Sequence, residues 1–384
     1  MISNSRVVAV VVLPCIVGAL RAQQPIPNLA GRVMTVSGPV APDRLGHTLM
    51  HEHIFVDLTL PDDQPERWAA AGRQRPAGAT AARLYHQPLT LDIVSSVMLG
   101  AINRDNWLLT DESEQAREIA EFKRAGGGTI VDATSMGIDR RPEALQRVAQ
   151  ASGLNVVMGT GWYAAGWYPK DLDRRTVESL TDEIVRDLTV GVGGTGIRAG
   201  IIGELGTSAN PGAGIENRIL RASGRASRLT GAAITLHSTE AARQHARILD
   251  ILVAEGADPS RVILGHADYL AGDLTYITPL LERGATIEFD LLGKPPLVTR
   301  KWPIDSEVAK TIVALTKAGY ADRIVLSQDV SAKMSLKSYG GTGYSFIEEQ
   351  FLPYLKRQGI TDAQIARIMV ENPKRLLTFV APRS

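Results

Sequence analysis

Cysteine is almost absent: the chain has 384 residues and a single Cys15. This residue lies in an apolar stretch, 7–20, which follows a cationic start ending at Arg6 and precedes a small-residue site at Ala22. That layout is typical of a signal peptide, and the stretch is shorter than the ~20 residues of a spanning helix. We therefore expect residues 1–22 to be removed on export, to the periplasm or outside the cell, without stable membrane insertion. The mature chain would then lack cysteine, which excludes disulfides, thiolate metal ligands and a cysteine nucleophile.

An excess of charge of either sign is also missing. Lysine and arginine total 42, and aspartate and glutamate total 41. No basic field would attract nucleic acid, and no acidic block would attract a cationic partner. The chain has neither a GxSxG elbow nor a GxxxxGK[ST] loop, so a serine hydrolase or a P-loop enzyme is unsupported. We expect a small-molecule substrate and no nucleic-acid partner.

What the chain does contain is a repeat of short β-branched runs that alternate with helical patterns. The segments 111–127 and 238–256 carry apolar residues at helical spacing, with a glycine at or near the end. Near-continuous apolar strands linked by helices predict a parallel sheet covered by helices. Eight such units favour an α/β fold of the (β/α)8 TIM-barrel type over an open doubly wound sheet. The predicted strands are 46–58, 127–135, 155–163, 198–208, 231–239, 261–269, 284–293 and 323–331.

We expect one barrel domain over residues 31–380, with two segments outside the repeat. Residues 31–46 predict a short N-terminal β-hairpin with Ser37, Gly38 and Pro39 at its turn. Residues 59–110 predict a long loop insertion after the first barrel strand, at the catalytic end, where it would form a lid or a pocket wall. Its part 61–82 has little apolar periodicity, and a disordered surface loop is the alternative there.

Histidine and carboxylate side chains lie at the ends of several predicted strands, where TIM barrels carry their functional groups. Imidazole and carboxylate without thiolate suit a catalytic ion such as Zn²⁺, Mn²⁺, Co²⁺ or Fe²⁺, with Zn²⁺ favoured. Six ligands exceed the three or four that one tetrahedral zinc takes, so the set predicts two ions about 3.5–4 Å apart with a bridging carboxylate. The predicted ligands are His51, His53, Glu204, His237, His266 and Asp329.

Each of these residues, taken alone, is also compatible with a purely structural role. A single histidine at a strand end is commonly a hydrogen-bonded structural residue, and one HxH motif is a weak signal. Glu204 could be protonated in the barrel core, because an ionised buried carboxylate is costly without a cation. The alternative function from another class is a barrel that binds a small ligand without turnover. The coincidence of all six residues at matched depth favours the metal centre.

These motifs, in the order "GHTLMHEHIFVDL", "AGIIGELGTS", "ITLHSTEAA", "VILGHADY" and "VLSQD", resemble the phosphotriesterase family of the amidohydrolase superfamily. The resemblance runs from residue 31 to 377 and implies a homodimer. It implies that His51, His53 and Asp329 hold the more buried ion, that His237 and His266 hold the more exposed ion, and that Glu204 bridges the two. The best known members have a carboxylated lysine as the bridge. With a glutamate at this position, the sequence resembles the phosphotriesterase-related branch of the family. The change from lysine argues against efficient organophosphate hydrolysis.

The predicted chemistry is hydrolysis. Two dications that share one water lower its pKa from 15.7 to about 7, so a bridging hydroxide would attack an ester-like bond at neutral pH. That bond could belong to a lactone or carboxylic ester, an N-acyl amide or a phosphotriester. We expect Asp329 to accept the proton and pass it to the leaving group. Glu204 and His266 complete the predicted catalytic set.

Three further residues are candidates for substrate contact. Trp162 and Tyr163 end the third predicted strand and would either line an apolar pocket or pack within a loop. Asp268 follows His266 closely and would either relay the proton outward or only orient a histidine.

Overall fold

The structure, a computed structural model, describes residues 26–238, 243–294 and 304–383. The predicted signal peptide at 1–22 lies outside these residues, as does Thr239 at the end of one predicted strand. Across the described ranges, no helix is both long and apolar enough to cross a membrane.

Eight parallel strands form the central sheet, and two small antiparallel pairs accompany it. The sheet strands, in their order around the sheet, are β3 (His47–Glu52), β6 (Gly127–Asp132), β7 (Asn155–Thr160), β8 (Ile201–Thr207), β9 (Ile234–Ser238), β10 (Val262–Leu264), β11 (Thr286–Phe289) and β12 (Ile324–Leu326). The pairs are β1 (Val33–Thr35) with β2 (Gly38–Val40), and β4 (Val56–Asp57) with β5 (Leu108–Leu109).

Hydrogen bonds between the first and last sheet strands close the barrel at one end. The Asp329 amide donates to the His51 carbonyl at 3.1 Å, and the His53 amide donates to the Val330 carbonyl at 3.3 Å. The (β/α)8 barrel prediction is therefore confirmed.

Helices connect and cover the strands. Their ends follow from local sequence: the helix at 112–124 begins after an Asp111 side chain that accepts from the Glu114 amide, and the helix at 214–230 ends at a left-handed Gly231. The α-helices are α1 (Pro65–Ala70), α2 (Ala79–His86), α3 (Leu91–Met98), α4 (Glu112–Arg124), α5 (Pro142–Ser152), α6 (Val177–Thr189), α7 (Gly214–Thr230), α8 (His245–Ala254), α9 (Leu274–Glu282), α10 (Asp305–Lys317), α11 (Leu352–Arg357), α12 (Asp362–Ala366) and α13 (Asn372–Leu377).

Apolar side chains fill one end of the barrel and leave the other for polar groups. Met50, Val131, Val157 and Val325 form a buried interior cluster that also includes Val33 of the β1–β2 hairpin. The hairpin thus covers the apolar end, and the polar site lies at the carboxyl ends of the strands.

The hairpin prediction is confirmed, with its turn shifted. Thr35 pairs with Gly38, so the turn residues are Val36 and Ser37, and Gly38 and Pro39 already belong to β2. Ser37 lies in the turn as predicted, but the turn begins one residue earlier and excludes Gly38 and Pro39, because both fit a short edge strand.

The insertion at 59–110 is not the loop we expected, since it contains α1, α2 and α3, and its last strand β5 pairs with β4. The disordered-loop alternative for 61–82 is also wrong. Trp68 of α1 and Tyr85 of α2 are buried at 2% and 1% exposure. Helices of six to eight residues are too short to show clear periodicity.

Candidate metal centre

All six predicted ligands meet at the carboxyl end of the barrel. Three belong to strands, namely His51 on β3, Glu204 on β8 and His237 on β9. The other three, His53, His266 and Asp329, follow the ends of β3, β10 and β12 within three residues.

Glu204 lies at the middle of the cluster and is 2% exposed. Its Oε1 lies 3.2 Å from His53 Nε2, and its Oε2 lies 3.2 Å from His51 Nε2. The same Oε2 lies 2.9 Å from His237 Nδ1. One carboxylate therefore faces histidines from opposite sides of the barrel mouth.

His237 and His266 form the second side of the cluster, where His237 Nδ1 lies 2.7 Å from His266 Nε2. Behind them is Asp290, a fully buried residue just after β11. Its Oδ1 lies 2.7 Å from His266 Nδ1, and its Oδ2 lies 3.2 Å from His51 Nδ1. Asp290 thus orients His266 and also faces His51, on the other side of the cluster.

Sequence analysis missed Asp290. The available signal was a second acidic residue, two positions after Glu288, in the otherwise apolar run "ATIEFDLLG" at a predicted strand end.

Hydrogen bonds fix which nitrogen each imidazole offers. The Thr134 hydroxyl donates to the Phe55 carbonyl at 2.9 Å, so its oxygen accepts from His53 Nδ1, also at 2.9 Å. That leaves His53 Nε2 as the nitrogen that would bind a metal, and it faces Glu204 and Asp329 Oδ1, 3.3 Å away. Asp290 fixes His266 in the same way. Metal-binding histidines characteristically have such partners on their second nitrogen.

Both predicted carboxylate ligands are held in the ionised form. Burial alone would raise the pKa of Glu204, but the charges of His51 and His237 hold it well below its usual range. Burial would likewise raise the pKa of Asp329, but Lys294 and His53 lower it below its usual range. A protonated Glu204 in the barrel core is therefore not favoured, and both groups are ready to bind cations.

Two of the histidines, His51 and His53, have raised pKa values, whereas burial and the charge of His266 lower the pKa of His237. Burial would lower the pKa of His53, but Asp329 and Glu204 raise it to about 9. Burial would also lower the pKa of His51, but Glu204 and Asp290 raise it well above its usual value. The carboxylates thus create a strongly negative environment that a cation would neutralise.

The donor set fits divalent ions. Neither ring nitrogen of His51 has a well-aligned hydrogen bond although the side chain is fully buried, and such groups are costly without a partner. Two further ring nitrogens, on His237 and His266, approach to 2.7 Å. The ligand atoms of His51, His53 and Glu204 lie within 4.8 Å of one another, as do those of Glu204, His237 and His266. Each group could hold one ion, with Glu204 in both.

Two of the predicted ligands have strained backbone. His266 and Asp329 have φ of 54° and 49°, a left-handed conformation that residues other than glycine seldom adopt. Such strain is concentrated at functional sites, where surrounding contacts hold it in place. Here the His266 amide donates to Asp290 and the Asp329 amide donates to the His51 carbonyl.

A cavity of about 300 Å³ opens above the cluster, and His237, His266 and Asp329 form part of its wall. A neighbouring cavity of about 500 Å³ also contains His237. Tyr163 lines both, with its ring centroid 4.9 Å from that of His237. Tyr163 thus lies on the cavity wall, in the position that a residue in contact with the substrate would occupy.

Trp162 and Asp268 do not line these cavities. Trp162 is 1% exposed and packs in the core under the Arg175 guanidinium. Neighbouring residues in extended chain point to opposite sides, so only one of Trp162 and Tyr163 can face the cavity. The Asp268 Oδ2 accepts from the amides of Asp290 and Leu291. The structure therefore supports neither residue as a substrate contact. The two hydrogen bonds let Asp268 position the Asp290 segment, and its role in proton relay stays a prediction.

Arg73, Trp107 and Lys294 also line the smaller cavity, and sequence analysis did not identify them. Arg73 and Trp107 come from the insertion, whose short helices carry no motif. Lys294 follows β11, and its Nζ donates to Asp329 Oδ2 at 2.8 Å.

Comparison with known proteins assigns the chain to a family. A family model described as "Phosphotriesterase family" matches residues 31–377. The chain belongs to the phosphotriesterase family. As a member of this family of metal-dependent hydrolases it is an enzyme, and the predicted resemblance is confirmed.

Three relatives illustrate the similarity to this phosphotriesterase-family chain. An N-acetyltaurine hydrolase of Dictyostelium discoideum is 35% identical over 91% of this chain and 98% of its own length. A phosphotriesterase-related protein of Nematostella vectensis is 35% identical over 91% and 99%. The structure of a resiniferatoxin-binding protein from Rhodobacter sphaeroides is 37% identical, with a TM-score of 0.82, over 91% and 96% of the two chains.

Proposed function

We propose that this protein is an exported hydrolase with two divalent metal ions bridged by Glu204, Zn²⁺ being the favoured ion. The position of Glu204 carries the proposal, because its two oxygens lie within 3.2 Å of ligand nitrogens on His51, His53 and His237. A merely structural carboxylate would not need histidines on both sides. A homodimer remains a prediction from the family resemblance.

When bound, two such ions would supply Lewis acidity and an activated water. The residues of the chain would hold these ions and transfer the proton. His51, His53 and Asp329 would hold one ion, and His237 and His266 the other. Asp329 lies at the cavity wall with Oδ1 3.3 Å from His53 Nε2 and Oδ2 2.8 Å from Lys294 Nζ. From there it would accept the proton of the attacking water and deliver it to the leaving group.

Among the three ester-like bonds that the sequence leaves open, we propose an N-acyl amide. Curated relatives from Dictyostelium discoideum to Homo sapiens, 31% to 35% identical over at least 91% of this chain, are named N-acetyltaurine hydrolase. An amine is a poor leaving group unless it is protonated, and a positioned Asp329 would supply that proton.

One observation supports the alternative function, a barrel that binds a ligand without turnover. A solved relative 37% identical to this chain is named a resiniferatoxin-binding protein. The complete set of six converging ligands favours turnover.

Turnover assays on zinc-loaded protein test the proposal. We expect hydrolysis of N-acetyltaurine at a higher kcat/KM than that of a simple γ-lactone or an aryl phosphotriester. Asp329→Asn should lower kcat by orders of magnitude while preserving the fold. No hydrolysis of any of the three, with both metals bound, would favour the binding protein, and full activity of Asp329→Asn would overturn its proton-transfer role.

The proposal of export has its own test. N-terminal sequencing of the protein recovered from the periplasm or medium should start near residue 23. An intact Met1 on all of the protein would contradict it.

A further inference from the structure

We propose that Arg73 binds an anionic group of the substrate, so that the preferred substrates are N-acyl derivatives of short amino-sulfonic or amino-carboxylic acids. The reaction class rests on the proposed function, whereas the anion site stands on the contacts of Arg73.

The backbone of Arg73 is fixed at the end of α1. Gly72 makes the turn at φ 66°, and the Arg73 amide donates to the Trp68 carbonyl at 2.9 Å. Trp68 is itself buried, with its indole nitrogen donating to the Pro61 carbonyl at 2.9 Å. The insertion therefore delivers Arg73 from a packed element rather than from a free loop.

Aromatic rings fix the side chain as well. The guanidinium carbon lies 4.0 Å from the centroid of the Trp107 ring and 4.9 Å from that of Trp167. Nη1 donates to the Leu58 carbonyl at 2.8 Å. A guanidinium stacked in this way loses little further side-chain freedom when it binds a ligand.

Arg73 borders the same space as the candidate metal ligands. It lines the 300 Å³ cavity together with His237, His266 and Asp329, and it lines the 500 Å³ cavity together with His237. A cavity of about 300 Å³ suits a small ligand. A substrate whose amide lies at the metal centre would therefore bring its other end to the wall that contains Arg73.

The chemistry of this wall favours an oxyanion with at least two oxygens, such as a carboxylate or a sulfonate. A guanidinium is always charged and presents paired N–H donors that match two oxygens of a carboxylate or sulfonate. Neighbouring tryptophan rings lower the local polarity and so strengthen the attraction. Lys294 also lines this cavity, where its ammonium is paired with Asp329 Oδ2 at 2.8 Å.

The insertion also offers a matched arginine outside the two cavities that contain His237. Arg67 of α1 donates through Nε to the Gly166 carbonyl at 2.7 Å and through Nη2 to the Tyr168 carbonyl at 3.3 Å. It lines neither of the two cavities that contain His237. Arg67→Met therefore removes a similar cation from the insertion, and because Gly166 and Tyr168 flank Trp167, any shift of that ring should affect charged and neutral substrates alike.

The experiment compares kcat and KM for N-acetyltaurine and for the neutral N-(2-hydroxyethyl)acetamide on metal-loaded enzymes. Arg73→Met should raise KM for N-acetyltaurine about 10- to 100-fold, as expected for losing charge-assisted hydrogen bonds. It should leave kcat/KM for the neutral amide within about twofold, since that amide makes no ionic contact. Arg73→Lys should restore part of the loss, and Arg67→Met should change both substrates by the same factor.

An equal change for both substrates in Arg73→Met, or in Arg73→Lys if the methionine variant does not fold, would overturn the proposal. Calorimetric binding separates this result from failure of the proposed function. If the wild type hydrolyses neither amide, Arg73-dependent preference for N-acetyltaurine over the neutral analogue would still support the anion site. Absence of that preference would overturn it.

Discussion

Glu52→Gln should destabilise the barrel where its first and last strands meet, although glutamine has almost the same shape as glutamate. The Glu52 side chain is fully buried at the end of β3. Its Oε1 accepts from the Ser327 hydroxyl at 2.7 Å and from the Gln328 amide at 2.8 Å, and its Oε2 accepts from the Val330 amide at 2.7 Å. One carboxylate therefore joins the first barrel strand to the segment that carries Asp329.

The magnitude follows from counting these donors. A glutamine oxygen in the Oε1 position would keep two acceptor contacts, while its NH₂ would meet the Val330 N–H, donor against donor. Leaving one buried donor unsatisfied costs about 1–3 kcal/mol. Glu52→Ala removes all three contacts and leaves a cavity, so it should cost more, about 3–5 kcal/mol.

Urea unfolding of the metal-free proteins in a chelator measures these losses without a contribution from metal binding. Burial raises the pKa of Glu52 to about 7, so the assay is run at pH 8.5, where the carboxylate is ionised. Glu371→Gln is the matched control, because Glu371 is 49% exposed with only a 3.9 Å approach to Lys374, and its midpoint should stay unchanged. A Glu52→Gln midpoint equal to that of the wild type would refute the reasoning.

Two further predictions concern the histidines. Asp290→Asn should weaken metal binding by about 10- to 100-fold, since it removes the carboxylate that orients His266 and faces His51; equal metal affinity by competition with a chelator would contradict it. Burial, assisted by Arg243, lowers the pKa of His245 to about 4, so its stabilising contribution is complete above pH 6.5 and is lost as the pH falls towards 4. Between those values the unfolding free energy of the wild type should fall by about 3 kcal/mol more than that of His245→Gln, and parallel pH profiles would contradict this.

The barrel and its candidate metal ligands were predictable because both depend on short-range patterns. Strand-helix alternation along the chain determines the barrel, and the carboxyl ends of parallel strands necessarily meet at one edge. Any imidazole or carboxylate at those ends, such as His51 or Glu204, is therefore brought to the same place.

The cavity wall was much less predictable, because its residues come together only through tertiary packing. Arg73 precedes α2 in sequence and Trp107 follows α3, so the two residues become neighbours only when the insertion packs on the barrel. Trp162 and Tyr163 are adjacent in sequence, and the sequence does not indicate which of them faces inward. Asp290 was hidden in an apolar strand, where its role depends on His266 and His51.

The central claim is a Glu204-bridged pair of ions, and the most direct test is the metal content of the purified protein. Mass spectrometry against a known protein concentration should find about two divalent ions per chain in the wild type and clearly fewer in Glu204→Ala, with Glu371→Ala as a control that keeps the wild-type content. Few or no ions in the wild type, even after incubation with zinc or manganese, would contradict the claim, as would a Glu204→Ala protein that retains both ions.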